Sequence, residues 1–148
     1  MTEQECNLLA VDLNERTQYG VIIKTPDGDF KLEYVDSYWE VKADDGKNHT
    51  YPLDEVRPYL RPMSSMTREE MAQMKADTCP FGTGTFDSQY LCCPMNHFGE
   101  MISYTFMHDI LVWLRKHHFD FMGLIEKGLA LEAPEMMYVI PLETPKTN

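Results

Sequence analysis

The sequence predicts an α+β fold, in which a small antiparallel SH3-like β subdomain at the N-terminus is followed by a helical C-terminal half. Three observations carry that expectation. Short β-like runs separated by tight turns fill the stretch from Leu8 to Tyr51, a capping signature opens a helix at Thr67, and a strongly apolar helical pattern runs from Glu100 to His118. The expected division is residues 1–60 as the β subdomain, 61–99 as a linker with one capped helix and an irregular loop, and 100–148 as a helical subdomain built on a long buried helix.

The β-like runs are NLLAVDL, QYGVIIK, FKLEYVD, YWEVK and NHTY. Pro26-Asp27-Gly28 and Asp44-Asp45-Gly46 supply the reversals, because proline presets φ and glycine accepts the left-handed region. Phe30, Leu32 and Tyr34 alternate with Lys31, Glu33 and Val35, so they are expected on one apolar face. Leu53 to Arg57 reads as a helical turn stopped by Pro58.

Thr67-Arg68-Glu69-Glu70 matches a capping box, in which the threonine hydroxyl and the glutamate side chain satisfy each other's backbone N–H groups. A helix from Arg68 to about Ala76 follows, with Met71 and Met74 on one side. Met63, Met66, Met71 and Met74 read either as core filling or as an adaptable binding surface. Residues 77–99 carry Pro80, Gly82, Gly84, Pro94 and Gly99 and are expected to be irregular. The helix from Glu100 to His118 places Ile102, Tyr104, Phe106, Met107, Ile110, Leu111, Trp113 and Leu114 on one broad arc. Such a helix needs cover from two directions, here expected from the β subdomain and the C-terminal segment. Asp120 is placed to cap a short helix from Phe121 to Lys127, Gly128 to end it in the left-handed region, and Tyr138-Val139-Ile140 to add an edge strand.

The chain has 148 residues, 43% of them hydrophobic, which suffices for one ordinary core. Its formal net charge is -11, and the acidic residues are spread along the chain. That charge opposes contact with nucleic-acid phosphates, so no nucleic acid is expected as a partner, and mimicry of nucleic acid is a lesser reading. The opening MTEQECN lacks a basic, apolar leader, and no run is long enough to span a bilayer. The expectation is a soluble cytoplasmic protein without a membrane partner. In that setting Cys6, Cys79, Cys92 and Cys93 are expected to be reduced.

The segments Tyr51-Pro52-Leu53-Asp54-Glu55-Val56-Arg57-Pro58-Tyr59-Leu60-Arg61-Pro62-Met63-Ser64-Ser65-Met66-Thr67, His117-His118-Phe119-Asp120 and Gly123 to Pro134 resemble a family of short uncharacterised proteins encoded in phages and prophages of gut bacteria. Members of that family often carry Tyr-Arg before the glycine where this chain has Phe121-Met122, so a role for that arginine does not transfer. The resemblance implies an accessory product of a mobile element, working in the bacterial host cytoplasm by binding a host protein. It implies no reaction and says nothing of oligomeric state.

The contact residues expected for such a binder are Tyr38, Trp39, Tyr51 and Tyr59, since aromatic side chains on a small barrel anchor partners. The competing reading makes them barrel core, Trp39 above all. Cys79, Cys92, Cys93 and His97 form the candidate metal set, because thiolate and imidazole are zinc's preferred ligands, although a second close cysteine pair is missing. The plain alternative is buried thiols beside a loop. His117 and His118 next to Asp120 could supply a general base, or could pack while Asp120 caps a helix. A small hydrolase pairing Cys92 or Cys93 with His97 or His108, and a protein that sequesters a nucleotide ligand, are the remaining readings. Gly82-Thr83-Gly84 lacks the rest of a phosphate-binding fingerprint.

Overall fold

The computed structural model describes residues 1–36, 39–78 and 104–139. These form an α+β fold in the order α1 (Glu3–Arg16), β1 (Ile22–Thr25), β2 (Gly28–Asp36), β3 (Glu40–Ala43), β4 (Tyr51–Pro52), β5 (Arg57–Pro62), α2 (Arg68–Thr78), α3 (Tyr104–Lys116), β6 (Phe119–Asp120) and β7 (Leu131–Glu132). The seven strands make one sheet with the path β4-β3-β2-β1-β5-β6, and β7 also pairs with β5.

The first element departs from expectation, since NLLAVDL is helical. Thr2 and Glu5 form the same capping box as Thr67 and Glu70: the Thr2 hydroxyl accepts from the Glu5 amide at 3.2 Å, and the Glu5 carboxylate accepts from the Thr2 amide at 2.7 Å. Leu9 and Leu13, four residues apart, then share a face with Asp12 and Arg16, and all four are buried. The apparent β run was one segment of that helical face.

The hairpin between β1 and β2 closes through Thr25 opposite Gly28, leaving Pro26 and Asp27 as its two-residue turn. The Thr25 hydroxyl donates to the Gly28 carbonyl at 2.9 Å, and Gly28 takes φ 139°. Between β2 and β3 the register slips: Leu32 pairs with Ala43, but Tyr34 pairs with Lys42, so β2 carries one extra residue. This bulge reverses the expected alternation. Phe30, Leu32 and Val35 pack with the core, whereas Tyr34 is 46% exposed. Leu53–Glu55 forms the expected helical turn, as a 3-10 turn, before β5 returns antiparallel to β1.

The C-terminal segment joins the same sheet, β6 and β7 each pairing parallel with β5. No helix forms over Phe121 to Lys127; the chain makes successive turns, with Gly123 and Gly128 at φ 70° and 72°. A left-handed residue in the first turn stops a helix from propagating. Asp120 still caps this segment, its Oδ1 accepting from the Leu124 amide at 2.8 Å and its Oδ2 from the Ile125 amide at 2.9 Å. Asp120→Asn keeps one acceptor but turns an N–H donor toward an amide. It is expected to lower the unfolding free energy by about 2 kcal/mol, read from the urea midpoint. Tyr138 and Val139 form no strand, and Ile140 lies outside the described residues.

The apolar interior has two clusters. One joins α1, the sheet and the C-terminal turns through Leu9, Leu13, Ile23, Leu32, Val41, Leu60, Leu124 and Leu129. The second joins Ile110, Trp113 and Leu114 of α3 to Met74 of α2 and to Phe119, with Met63, Met66 and Met71 packed against it. The methionine series therefore fills core, and α2 rather than the β strands supplies much of the cover on α3.

Candidate functional site

Two places in the fold concentrate functional residue types: a buried polar seam between the two apolar clusters, and the outward face of the β2–β3 hairpin. The seam begins at Arg16, which is fully buried. Its Nε meets Asp12 Oδ2 at 2.7 Å one helical turn back, and its Nη2 donates to the Phe119 carbonyl at 2.7 Å. Arg16 and Arg115 both approach the Phe121 ring, at 5.6 and 5.1 Å from its centroid, while Arg61 lies 4.2 Å from the Phe119 centroid. Arg61 also forks onto Glu70 at 2.7 and 2.9 Å, tying β5 to the capping box of α2.

His118 lies in this seam with φ 63° and is 3% exposed. Its ring stacks on Tyr138 at 3.7 Å, and its carbonyl accepts from the Arg61 amide at 2.8 Å. The Tyr138 hydroxyl bridges two strands, accepting from the Ile22 amide at 2.9 Å and donating to the Tyr59 carbonyl at 2.8 Å. Burial, followed by the charges of Arg16, His117 and Arg61, pushes the His118 imidazole down to about 3. Burial likewise pushes His117 down, and its Nδ1 lies 2.8 Å from the Trp113 carbonyl. Asp120 is thus committed to two amides, Tyr138 to two strands and His117 to α3, whereas the buried His118 Nδ1 has no hydrogen-bond partner among the described residues.

A neutral buried histidine makes stability depend on pH. Below its ordinary value of 6.5, His118 gains a proton in the unfolded chain but not in the native one, so stability falls as pH falls from 6.5 toward about 3. By pH 4 this amounts to about 3 kcal/mol. His118→Asn tolerates the positive φ and lacks the titration. It should reduce the slope of unfolding free energy between pH 6.5 and pH 5, above the range where carboxylates titrate, leaving the part that His117 contributes.

The outward hairpin face is built differently. Pairing of Tyr34 with Lys42 and of Asp36 with Glu40 puts these four residues on the side opposite Val35 and Val41, which face the core. Trp39 precedes Glu40, is 42% exposed and takes φ 66°, with its carbonyl accepting from the Leu53 amide at 2.7 Å. Left-handed backbone costs a bulky L-residue roughly 1–2 kcal/mol. The indole nonetheless remains 42% exposed.

The expected contact residues therefore separate. Trp39 is 42% exposed beside the start of β3, and Tyr38 lies outside the described residues. Tyr51 is only 4% exposed, and its hydroxyl lies 2.6 Å from Asp45 Oδ2 and 2.9 Å from Asp27 Oδ2, two acceptors that push its ionisation well above the ordinary tyrosine range. Tyr59 is half-buried on β5, its hydroxyl 3.2 Å from both carboxylate oxygens of Asp29. Tyr34 was not among the expected contacts, because strict alternation assigns it to the core; only the bulge turns it out. Cys79, Cys92, Cys93 and His97 lie outside the described residues. Among the described residues no group of three His, Cys, Asp or Glu is placed to hold a metal ion, and no helix is long and apolar enough to cross a membrane. No family model, curated protein or solved structure matches the chain.

Proposed function

We propose that this chain is a non-enzymatic accessory protein of phage or prophage origin that binds a host protein in the bacterial cytoplasm, using the outward aromatic face of the β2–β3 hairpin. The observation that carries the reading is Trp39, an exposed indole held at φ 66°. Strain at a solvent-facing aromatic has no benefit to folding and fits recognition. Tyr34 adds a second exposed aromatic near the hairpin end.

An SH3-like N-terminal β subdomain is the scaffold we propose for this face. Supporting it are the order β4-β3-β2-β1-β5, the long β2 shared between its neighbours, and the 3-10 turn between β4 and β5. α1 packs Leu9 and Leu13 into the core of this unit.

Trp39→Gly tests the function without damaging the fold, because glycine adopts the positive φ freely. The thermal midpoint should stay level or rise, and capture of a host protein from bacterial lysate should be lost. Retained capture with intact folding would remove Trp39 from the binding surface.

A further inference from the structure

Residues 134–139 form no strand, and Pro134, Glu135, Met136 and Val139 are exposed. Met136 takes φ 69° with 79% of its surface exposed, a backbone conformation that costs a bulky L-residue roughly 1–2 kcal/mol. Among the described residues, two hydrogen-bonded attachments tie this stretch to the sheet. The Ala133 amide donates to the Leu60 carbonyl at 2.8 Å just before it, and the Tyr138 side chain enters the fold near its end. The pairing of β1 with β5 sets the place where Tyr138 enters. Ile23 stands opposite Pro58 and Lys24 opposite Arg57, so one further step puts Ile22 opposite Tyr59. The Val21 carbonyl accepts from Leu32 of β2, and because backbone groups alternate sides along a strand, the Ile22 N–H points toward β5. By the same alternation the Leu60 carbonyl turns to Ala133, and the Tyr59 carbonyl turns to β1. The two groups that a direct ladder bond would join are aimed at one another. The Tyr138 hydroxyl stands between them instead, accepting from the Ile22 amide at 2.9 Å and donating to the Tyr59 carbonyl at 2.8 Å.

We infer that Tyr138 is a latch: its phenol holds residues 134–139 as a strap over His118, and when it withdraws, β1 and β5 pair one step further through a direct bond from the Ile22 amide to the Tyr59 carbonyl. A buried amide or carbonyl left without a partner costs about 1–3 kcal/mol, yet here each group is the other's replacement partner. Opening exchanges two bonds to one hydroxyl for one ladder bond and releases the left-handed turn at Met136. The same strands therefore have two discrete arrangements, which is the requirement for a conformational switch. In the open form the imidazole face of His118, now stacked under the Tyr138 ring at 3.7 Å, is bared.

The test compares the full chain with its Tyr138→Phe variant by NMR, reading the scalar coupling across a hydrogen bond between the Ile22 nitrogen and the Tyr59 carbonyl carbon. This substitution keeps the ring and removes the hydroxyl, so a ring that stayed seated would leave both backbone groups without partners. The coupling should be absent in the parent and present in Tyr138→Phe. In the variant the ring at position 138 should lose its contacts with His118, backbone order parameters over residues 135–139 should fall below about 0.6, and the Ile22 amide should still exchange slowly. A substituted ring that remains on His118, with no coupling and an Ile22 amide exchanging faster than in the parent, would overturn the inference, because position 138 would then be fixed core. A loosened strap without the Ile22–Tyr59 coupling would overturn the second strand arrangement and with it the switch. Failure of Tyr138→Phe to fold would overturn it as well, since a releasable strap is dispensable to the fold. A coupling already present in the parent would contradict the inserted hydroxyl on which the inference is built.

Discussion

Arg16→Ala is expected to lower the unfolding free energy by about 3–5 kcal/mol, as for other broken buried ion pairs. Chemical denaturation at neutral pH would read this as a large drop in midpoint with little change in slope. The magnitude follows from what is left behind. Asp12 is 3% exposed and loses its counter-charge, and the Phe119 carbonyl loses its donor. Because the guanidinium joins α1 to β6 across 103 residues of sequence, the loss also loosens the link between the two apolar clusters. Arg16→Met with Asp12→Leu should recover much of the deficit, since a well-packed apolar pair avoids the desolvation that a lone carboxylate suffers. The double substitution falling as far as Arg16→Ala alone would mean that the Phe119 carbonyl contact, and not the charge pair, sets the cost.

Phe119→Ala is expected to cost a similar amount, about 3–5 kcal/mol, through loss of buried area and the cavity that remains. Phe119 is fully buried and sits where several elements meet. Its ring lies parallel to Trp113 at 6.2 Å and beneath the Arg61 guanidinium, while its backbone pairs with Arg61 in the sheet. The cavity would open between α2, α3 and β5, so the variant should also speed amide exchange in α3. A change below 1 kcal/mol would show that Met66, Met71 and Met74 close over the gap, as flexible thioethers are able to do.

The parts of this fold that were legible in the sequence are those with local causes. The Thr67–Glu70 capping box, the Pro26-Asp27 reversal, the 3-10 turn at Leu53 and the left-handed Gly128 each depend on a few neighbouring residues. The first helix carried equally local signals, Thr2 with Glu5 and Asp12 four before Arg16, but the apolar run Leu8 to Val11 masks its period. Tyr34 depends on a register slip set by β3, and sequence alternation alone assigns it to the wrong face. Its exposure is decided by pairing between strands. The seam around Arg16, His118 and Tyr138 draws on residues more than a hundred positions apart, so His118 and Asp120 could be noticed as neighbours while their partners could not. In the seam, Asp120 took the capping role, and no general-base role was needed to explain its position.

The proposed division between a stabilising interior and a binding hairpin is open to one direct measurement. A photo-crosslinking amino acid is placed at position 34 on the hairpin, and in a second protein at position 11 on α1, where Val11 is 60% exposed. Irradiation in host lysate should yield a discrete crosslinked partner from position 34, abolished by Trp39→Gly, and none from position 11. A partner crosslinked from position 11 and not from position 34, with both proteins folded, would contradict the account.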